Sequence, residues 1–119
     1  MRNDPDPRPK AQIRAVISKL MDECCATAVR HGWWESGRQF PEIAALIHSE
    51  VSEAFEFYRH DNPNSDHIPA FSGMEEELAD VLIRVFDYCG NHNLDLGGAL
   101  LAKMEFNDKR PYKHGGKKC

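Results

Sequence analysis

Residues 50–53 read Glu50-Val51-Ser52-Glu53, inside the run Ile43-Ala-Ala-Leu-Ile-His-Ser-Glu-Val-Ser-Glu-Ala-Phe-Glu-Phe-Tyr58. At about 100° per residue, the apolar arc of this segment is centred near Ile47 and Tyr58 and takes in Ile43, Leu46, Val51, Ala54 and Phe55. Glu50 projects into that arc and Glu53 lies on its rim, whereas Glu56 points to solvent. An amphipathic helix keeps acids off the stripe it buries, so Glu50 needs a reason to be there.

The flanking text is helical throughout. Ile13, Val16, Ile17, Leu20, Met21 and Cys24 recur at helical spacing from Ala11 on, and Gly32 is a natural stop. Pro41 suits the first turn of a second helix running to about Arg59. The stretch His60-Asp-Asn-Pro-Asn-Ser-Asp-His-Ile-Pro-Ala-Phe71 is a loop by its prolines and small polar residues. Ser72-Gly-Met-Glu75 fits a capping box and opens a third helix, whose apolar face runs from Met74 to Cys89 and is centred near Leu78 and Cys89. Asp95 can cap a shorter fourth helix that stops before Pro111. The spacing therefore predicts an all-α, four-helix-bundle-like subunit. Residues 1–10 form a lead-in, 11–110 a single helical domain, and 111–119 a basic tail.

Composition agrees. Among 119 residues, 41% are hydrophobic and 29% charged, which is a folding balance, and the net charge of −4 argues against a nucleic-acid polymer as partner. No stretch approaches the roughly 20 apolar residues of a membrane span. The first residues lack a signal peptide's apolar core, so a cytoplasmic location is expected, with no membrane partner. Cys24, Cys25, Cys89 and Cys119 have no Cys-x-x-Cys spacing and read as reduced thiols.

The third helix repeats the acid pattern: Glu77 on the margin of its arc and Asp80 further out, three residues apart and hence on one surface. If the second and third helices pack antiparallel, Glu50 and Glu53 face Glu77 and Asp80. Two like charges about 5 Å apart at an effective dielectric near 20 repel by roughly 3 kcal/mol, so such a quartet must protonate, splay or hold cations. All-oxygen ligation suits magnesium, or manganese. Each acid alone has a plainer reading: Glu50 could snorkel or pair with a buried arginine, and Glu77 could accompany Glu75 and Glu76 in a first helical turn.

Glu50-x-x-Glu53, a spacer and Glu77-x-x-Asp80 resemble the signature of the all-alpha nucleoside triphosphate pyrophosphohydrolases, the MazG-like superfamily. Supporting text is Leu46-Ile-His-Ser-Glu-Val-Ser-Glu-Ala, Glu75-Glu-Glu-Leu-Ala-Asp-Val-Leu-Ile-Arg-Val and the ending Lys103-Met-Glu-Phe-Asn-Asp-Lys-Arg-Pro-Tyr-Lys-His-Gly-Gly-Lys117. The likeness covers roughly residues 40–117. It implies magnesium-dependent cleavage of a nucleoside triphosphate to the monophosphate and pyrophosphate, by a homodimer or homotetramer. It makes Glu50, Glu53, Glu77 and Asp80 the metal ligands and Glu50 and Glu53 the catalytic pair, with Glu53, on the rim, orienting or deprotonating the attacking water. Lys103, Asn107 and Arg110 lie on one stripe of the fourth helix and run into Tyr112, Lys113 and Lys117. The resemblance makes them contacts to the substrate's phosphates or sugar; without it they are a solvated face.

Trp33 and Trp34 are open to two readings, Trp34 as a platform for the nucleobase or the pair as core or interface anchors. Arg84 could steady Asp80 one turn away or form an ordinary surface ion pair. His48 reads as a boundary residue. Two rival classes stand beside the hydrolase. One is a carboxylate-bridged di-iron bundle, which calls for Glu-x-x-His pairs absent here. The other is a non-catalytic helical module whose acidic patch receives a basic partner.

Overall fold

The computed structural model describes residues 6–112, and among them the chain forms four α-helices and no β-strand. They are α1 (Pro7–Arg30), α2 (Phe40–Arg59), α3 (Gly73–Asn91) and α4 (Leu96–Asp108). The all-α class expected from the periodicity is what is observed. None of these helices is long and apolar enough to cross a membrane. Lys113, Lys117 and Cys119 of the tail, and the first five residues of the lead-in, lie outside the described residues.

The helix expected from Ala11 begins at Pro7, inside the predicted lead-in. A first turn has no intrahelical partners for its N–H groups, so prolines at 7 and 9 remove nothing there. The Asp6 carboxylate accepts from the Arg8 N–H at 2.9 Å and anchors that turn.

The chain forms two compact units. One joins Met1–Lys19 to Leu94–Cys119, of which residues 6–19 and 94–112 are described. In it, the Asp95 carboxylate caps α4 through the Gly98 N–H at 2.9 Å and accepts from the Arg14 guanidinium. Gly97 brings α4 against the α1 backbone, where a Cβ would lie 3.1 Å from the Arg14 carbonyl oxygen.

The second unit, Leu20–Asn93, carries the buried apolar residues Met21, Ala28, Ile43, Ala54 and Cys89. Gly32, at φ +76°, ends α1 as expected. The Ser72–Glu75 capping box is present with both of its bonds, at 3.1 and 3.0 Å. The loop before it is held by the Asn62 side chain, which accepts from the Met74 N–H at 2.9 Å, and by Ser65, which accepts from the N–H groups of His67 and Ile68. α2 packs on α3, and two contacts fix the pair as antiparallel: Glu50 meets Arg84, while Phe57 lies against Gly73. Cys24, Cys25 and Cys89 are free thiols, and burial pushes each above its ordinary pKa.

The buried stripes coincide with the expected arcs only in part. On α2 the buried positions are Ile43, Glu50 and Ala54, while Tyr58, near the expected centre, is 64% exposed. On α3, Glu77 is buried and Leu78 exposed, while Cys89, the other expected centre, is buried as expected. Summed hydrophobicity places an arc where the apolar residues are, whereas the helices turn the acids into their seam.

Within this unit Gly90 lets α3 approach α1, since a Cβ there would fall 2.6 Å from the Met21 carbonyl oxygen. Backbone cannot swing aside as a side chain can. Gly90→Ala is therefore expected to destabilise the protein by about 1–3 kcal/mol, the usual cost of overpacking, despite alanine's higher helix propensity. Urea denaturation checks this, and a stabilised variant would contradict it.

Candidate metal centre

Glu50 is 7% exposed and sits in the α2–α3 seam. Arg84 donates to its Oε1 from Nε at 3.0 Å and holds one Nη at 3.0 Å. Arg84 thus gives its hydrogen bond across the seam to α2, where the more deeply buried carboxylate lies, and acts on Asp80 one turn away through its charge alone. It also supplies the buried arginine that the plainer reading of Glu50 called for. One guanidinium, however, does not balance what surrounds it.

Carboxylate oxygens of Glu50, Glu53 and Glu77 lie within 4.8 Å of one another, and those of Glu76, Glu77 and Asp80 do the same. Glu77 belongs to both groups. It is 8% exposed, and its Oε2 has no hydrogen-bond partner among the described residues. Burial, reinforced by the neighbouring Glu50 and Glu53, pushes the Glu77 pKa up to about 8. Burial, with Glu50 and Glu76 close by, also raises Asp80. Burial alone would raise Glu50 too, but Glu77, Arg84 and Glu53 together hold it below its ordinary value. At such spacing each pair of ionised carboxylates costs about 3 kcal/mol at an effective dielectric near 20.

Glu76 is the acid that sequence reading passed over as one of three in a first helical turn. Ser65 donates to its Oε1, and His67 Nδ1 lies 2.7 Å from its Oε2. The Ser65 hydroxyl, then His67, hold Glu76 below its ordinary pKa, and Glu76 raises His67 in return. Nothing local in the sequence marks Ser65 or His67; only the folding back of the 60–72 loop brings them to α3. Glu53 and Glu77 wall a cavity of about 590 Å³ that is also lined by Phe57, Pro63 and His67. Glu53 is exposed, as its rim position implied, and Glu56 is solvated as expected.

Within Leu20–Asn93 the structure therefore gathers Glu50, Glu53, Glu77 and Asp80, the four acids singled out from spacing. Lys103, Asn107, Arg110 and Tyr112 belong to the other unit and are exposed. Lys103 Nζ and the Arg110 guanidinium lie over the Phe106 ring, 4.5 and 5.4 Å from its centroid. Trp34 donates its indole N–H to Asp87 at 2.7 Å and packs its ring near Tyr88 and His92. That is the environment of an anchor rather than of an open platform. His48 is exposed, in keeping with a boundary position.

The site fits a hard divalent ion on its own geometry: all-oxygen donors from two helices, with one buried oxygen lacking any donor. Neither acid group contains a histidine, which disfavours the di-iron arrangement. No family model matches the chain, and no curated protein or solved structure matches it.

Glu77 makes the metal-free protein sensitive to pH. Its folded pKa of about 8 lies above the ordinary 4.5, so between those values the folded state holds the extra proton. Stability from this group is complete below about 4.5 and is lost as pH rises through 8; Asp80 and Asp87 act in the same sense. In a chelator, the melting temperature is expected to fall as pH rises across this window, and Glu77→Gln to lose most of that slope. Equal slopes for the two proteins would contradict the assignment.

Proposed function

We propose that this chain is a magnesium-dependent nucleoside triphosphate pyrophosphohydrolase of the MazG-like type, working as a homo-oligomer. The observation that carries the reading is Glu77 Oε2, buried without a donor between two groups of carboxylates. Glu50, Glu53, Glu77 and Asp80 would hold the ion, magnesium or manganese. Bound there, it would neutralise charge on phosphate oxygens and make a water acidic enough to attack at neutral pH.

The chain's own residues have separable tasks. Arg84 fixes the Glu50 carboxylate, so one ligand is oriented before anything binds. Ser65 and His67 tie Glu76, and with it the first turn of α3, to the loop. Glu53, the exposed member of its group, would accept a proton from a water and pass it to solvent. Lys103, Asn107, Arg110 and Tyr112 are assigned to the substrate by the family resemblance alone.

A second copy is supported by the faces of the α2–α3 pair. Val51, Phe55 and Tyr58 follow Glu50, Ala54 and Phe57 by one residue, and Leu78 and Leu82 follow Glu77 and Val81. In antiparallel helices that common offset of about 100° puts all five on one side, where each is exposed. The preceding positions, Glu53, Glu56, Glu76 and Asp80, form the acidic side. So large an apolar face is unusual on a monomer.

A second reading, a non-catalytic helical module with an acidic patch, is favoured by the Glu50–Arg84 pair, a structural neutralisation that needs no ion. Screening canonical and modified triphosphates for pyrophosphate release separates the two. The hydrolase releases it only with a divalent cation, and Glu53→Gln or Asp80→Asn lowers the rate at least about 100-fold, the scale of general-base loss, with the fold retained. Release from no substrate would leave the module. For the oligomer, light scattering after gel filtration is expected to show Phe55→Glu/Leu82→Lys as a monomer and the wild type as a dimer or larger; a monomeric wild type would contradict it.

A further inference from the structure

A second polar cavity in Leu20–Asn93 is lined by two guanidiniums, of Arg38 and Arg84. Arg38 lies in the α1–α2 connection, and its side chain is only 9% exposed. A guanidinium carries five N–H donors. Its carboxylate neighbours among the described residues are Glu42, with Nε and Oε2 3.7 Å apart, beyond hydrogen-bonding reach, and the buried Asp87, which attracts both Arg38 and Arg84 electrostatically. The rings of Trp33 and Trp34, with centroids 5.9 and 5.6 Å from its Cζ, give it cation–π contact. That compensates part of the charge but satisfies none of the donors in their own plane. The donors left without an acceptor are open to solvent rather than buried, since among the described residues the one buried side-chain nitrogen or oxygen without a partner is Glu77 Oε2.

Those donors border a cleft of about 330 Å³ lined by Trp33, Ser36, Arg38, Glu42 and Arg84. Arg84 comes from α3 and spends Nε and one Nη on Glu50; its other Nη has no hydrogen-bond acceptor among the described residues. Two guanidiniums from different elements and a serine hydroxyl therefore border one opening. The first turn of α2 adjoins it, and the Gln39 side chain does not cap that turn. A single fork satisfies a planar carboxylate, whereas two forks suit the several oxygens of phosphate groups. The volume lies at the small end of ligand sites, which fits a compact oxyanion better than a whole nucleotide.

We propose that the Arg38–Arg84 cleft is an oxyanion site that takes a diphosphate group. Resting on the hydrolase reading, the occupant is the pyrophosphate end of the substrate, because Arg84 joins the cleft directly to the Glu50 carboxylate of the metal centre. The cleft then carries phosphate charge that sequence reading gave to Lys103 and Arg110. Glu42, whose side chain is 58% exposed, is free to turn outward as the anion enters.

Calorimetric titration of the full chain with inorganic pyrophosphate, in a chelator and at fixed ionic strength, tests the site apart from catalysis. Wild-type protein is expected to bind. Arg38→Gln should weaken binding at least tenfold and Glu42→Gln tighten it severalfold, while Arg59→Gln, a control for loss of charge, stays within twofold. If Arg38→Gln proves unfolded by circular dichroism, the arginine side-chain Nε resonances of the wild type decide: pyrophosphate should move those of Arg38 and Arg84. No binding by the wild type, equal binding by folded Arg38→Gln, or unmoved Arg38 resonances would overturn the proposal. Arg38-dependent binding in a protein that hydrolyses no triphosphate would overturn the hydrolase reading and leave the oxyanion site standing. Metal-dependent hydrolysis with no such binding would do the reverse.

Discussion

A buried carboxylate oxygen with no donor is the constraint around which the α2–α3 pair is organised. Glu77 Oε2 lies in the seam, where its negative charge is opposed by burial and by the acids on either side. A domain is stable by only about 5–15 kcal/mol, so several unscreened carboxylate pairs would consume most of that margin. The protein answers in two ways visible in its bonds. Arg84 neutralises Glu50, and Ser65 with His67 holds Glu76 at the edge. Neither reaches Glu77, which can only bind a proton or a cation.

The same seam divides the pair into unlike faces. Because the helices are antiparallel, a step of one residue along either leads to the same side, so one register decides where everything goes. The residues preceding the seam are acidic and those following it are apolar. Carboxylates and exposed apolar residues are therefore segregated to opposite sides of the same two helices. The Arg38–Arg84 cleft meets this arrangement at Glu50, the acid that already has a cation. A positive opening beside a negative seam is what a metal–phosphate substrate would require, with metal on one side and exposed phosphate oxygens on the other.

The sequence was most legible where local rules act. The Ser72–Glu75 box, the Gly32 stop and the Asp95 cap stand where their spacing puts them, since each depends on residues within one turn. The acid pairs were legible for the same reason: i, i+3 spacing sets a common surface before any packing is known. The start of α1 at Pro7 was not legible because apolar spacing begins only near Ala11, while prolines are accepted in a first turn without marking it. The arcs hold in part: Ile43, Glu50, Ala54 and Cys89 are buried within them, while Val51, Phe55, Tyr58 and Leu78 are exposed and Glu77, on a margin, is buried. Helical spacing marks Asp80 as a neighbour of Arg84, but only the packing of α2 on α3 brings Glu50 to its guanidinium. Ser65, His67 and Arg38 carry no motif, and their roles arise only when loops return to the helices.

The central claim is that the seam holds a divalent ion at Glu77. Its most direct measurement is anomalous diffraction at the manganese edge from crystals grown with manganese. The account predicts an anomalous peak bonded to carboxylate oxygens of Glu50, Glu53 and Glu77. Ordered side chains with no peak, and Glu77 hydrogen-bonded as a neutral acid to its neighbours, would contradict it.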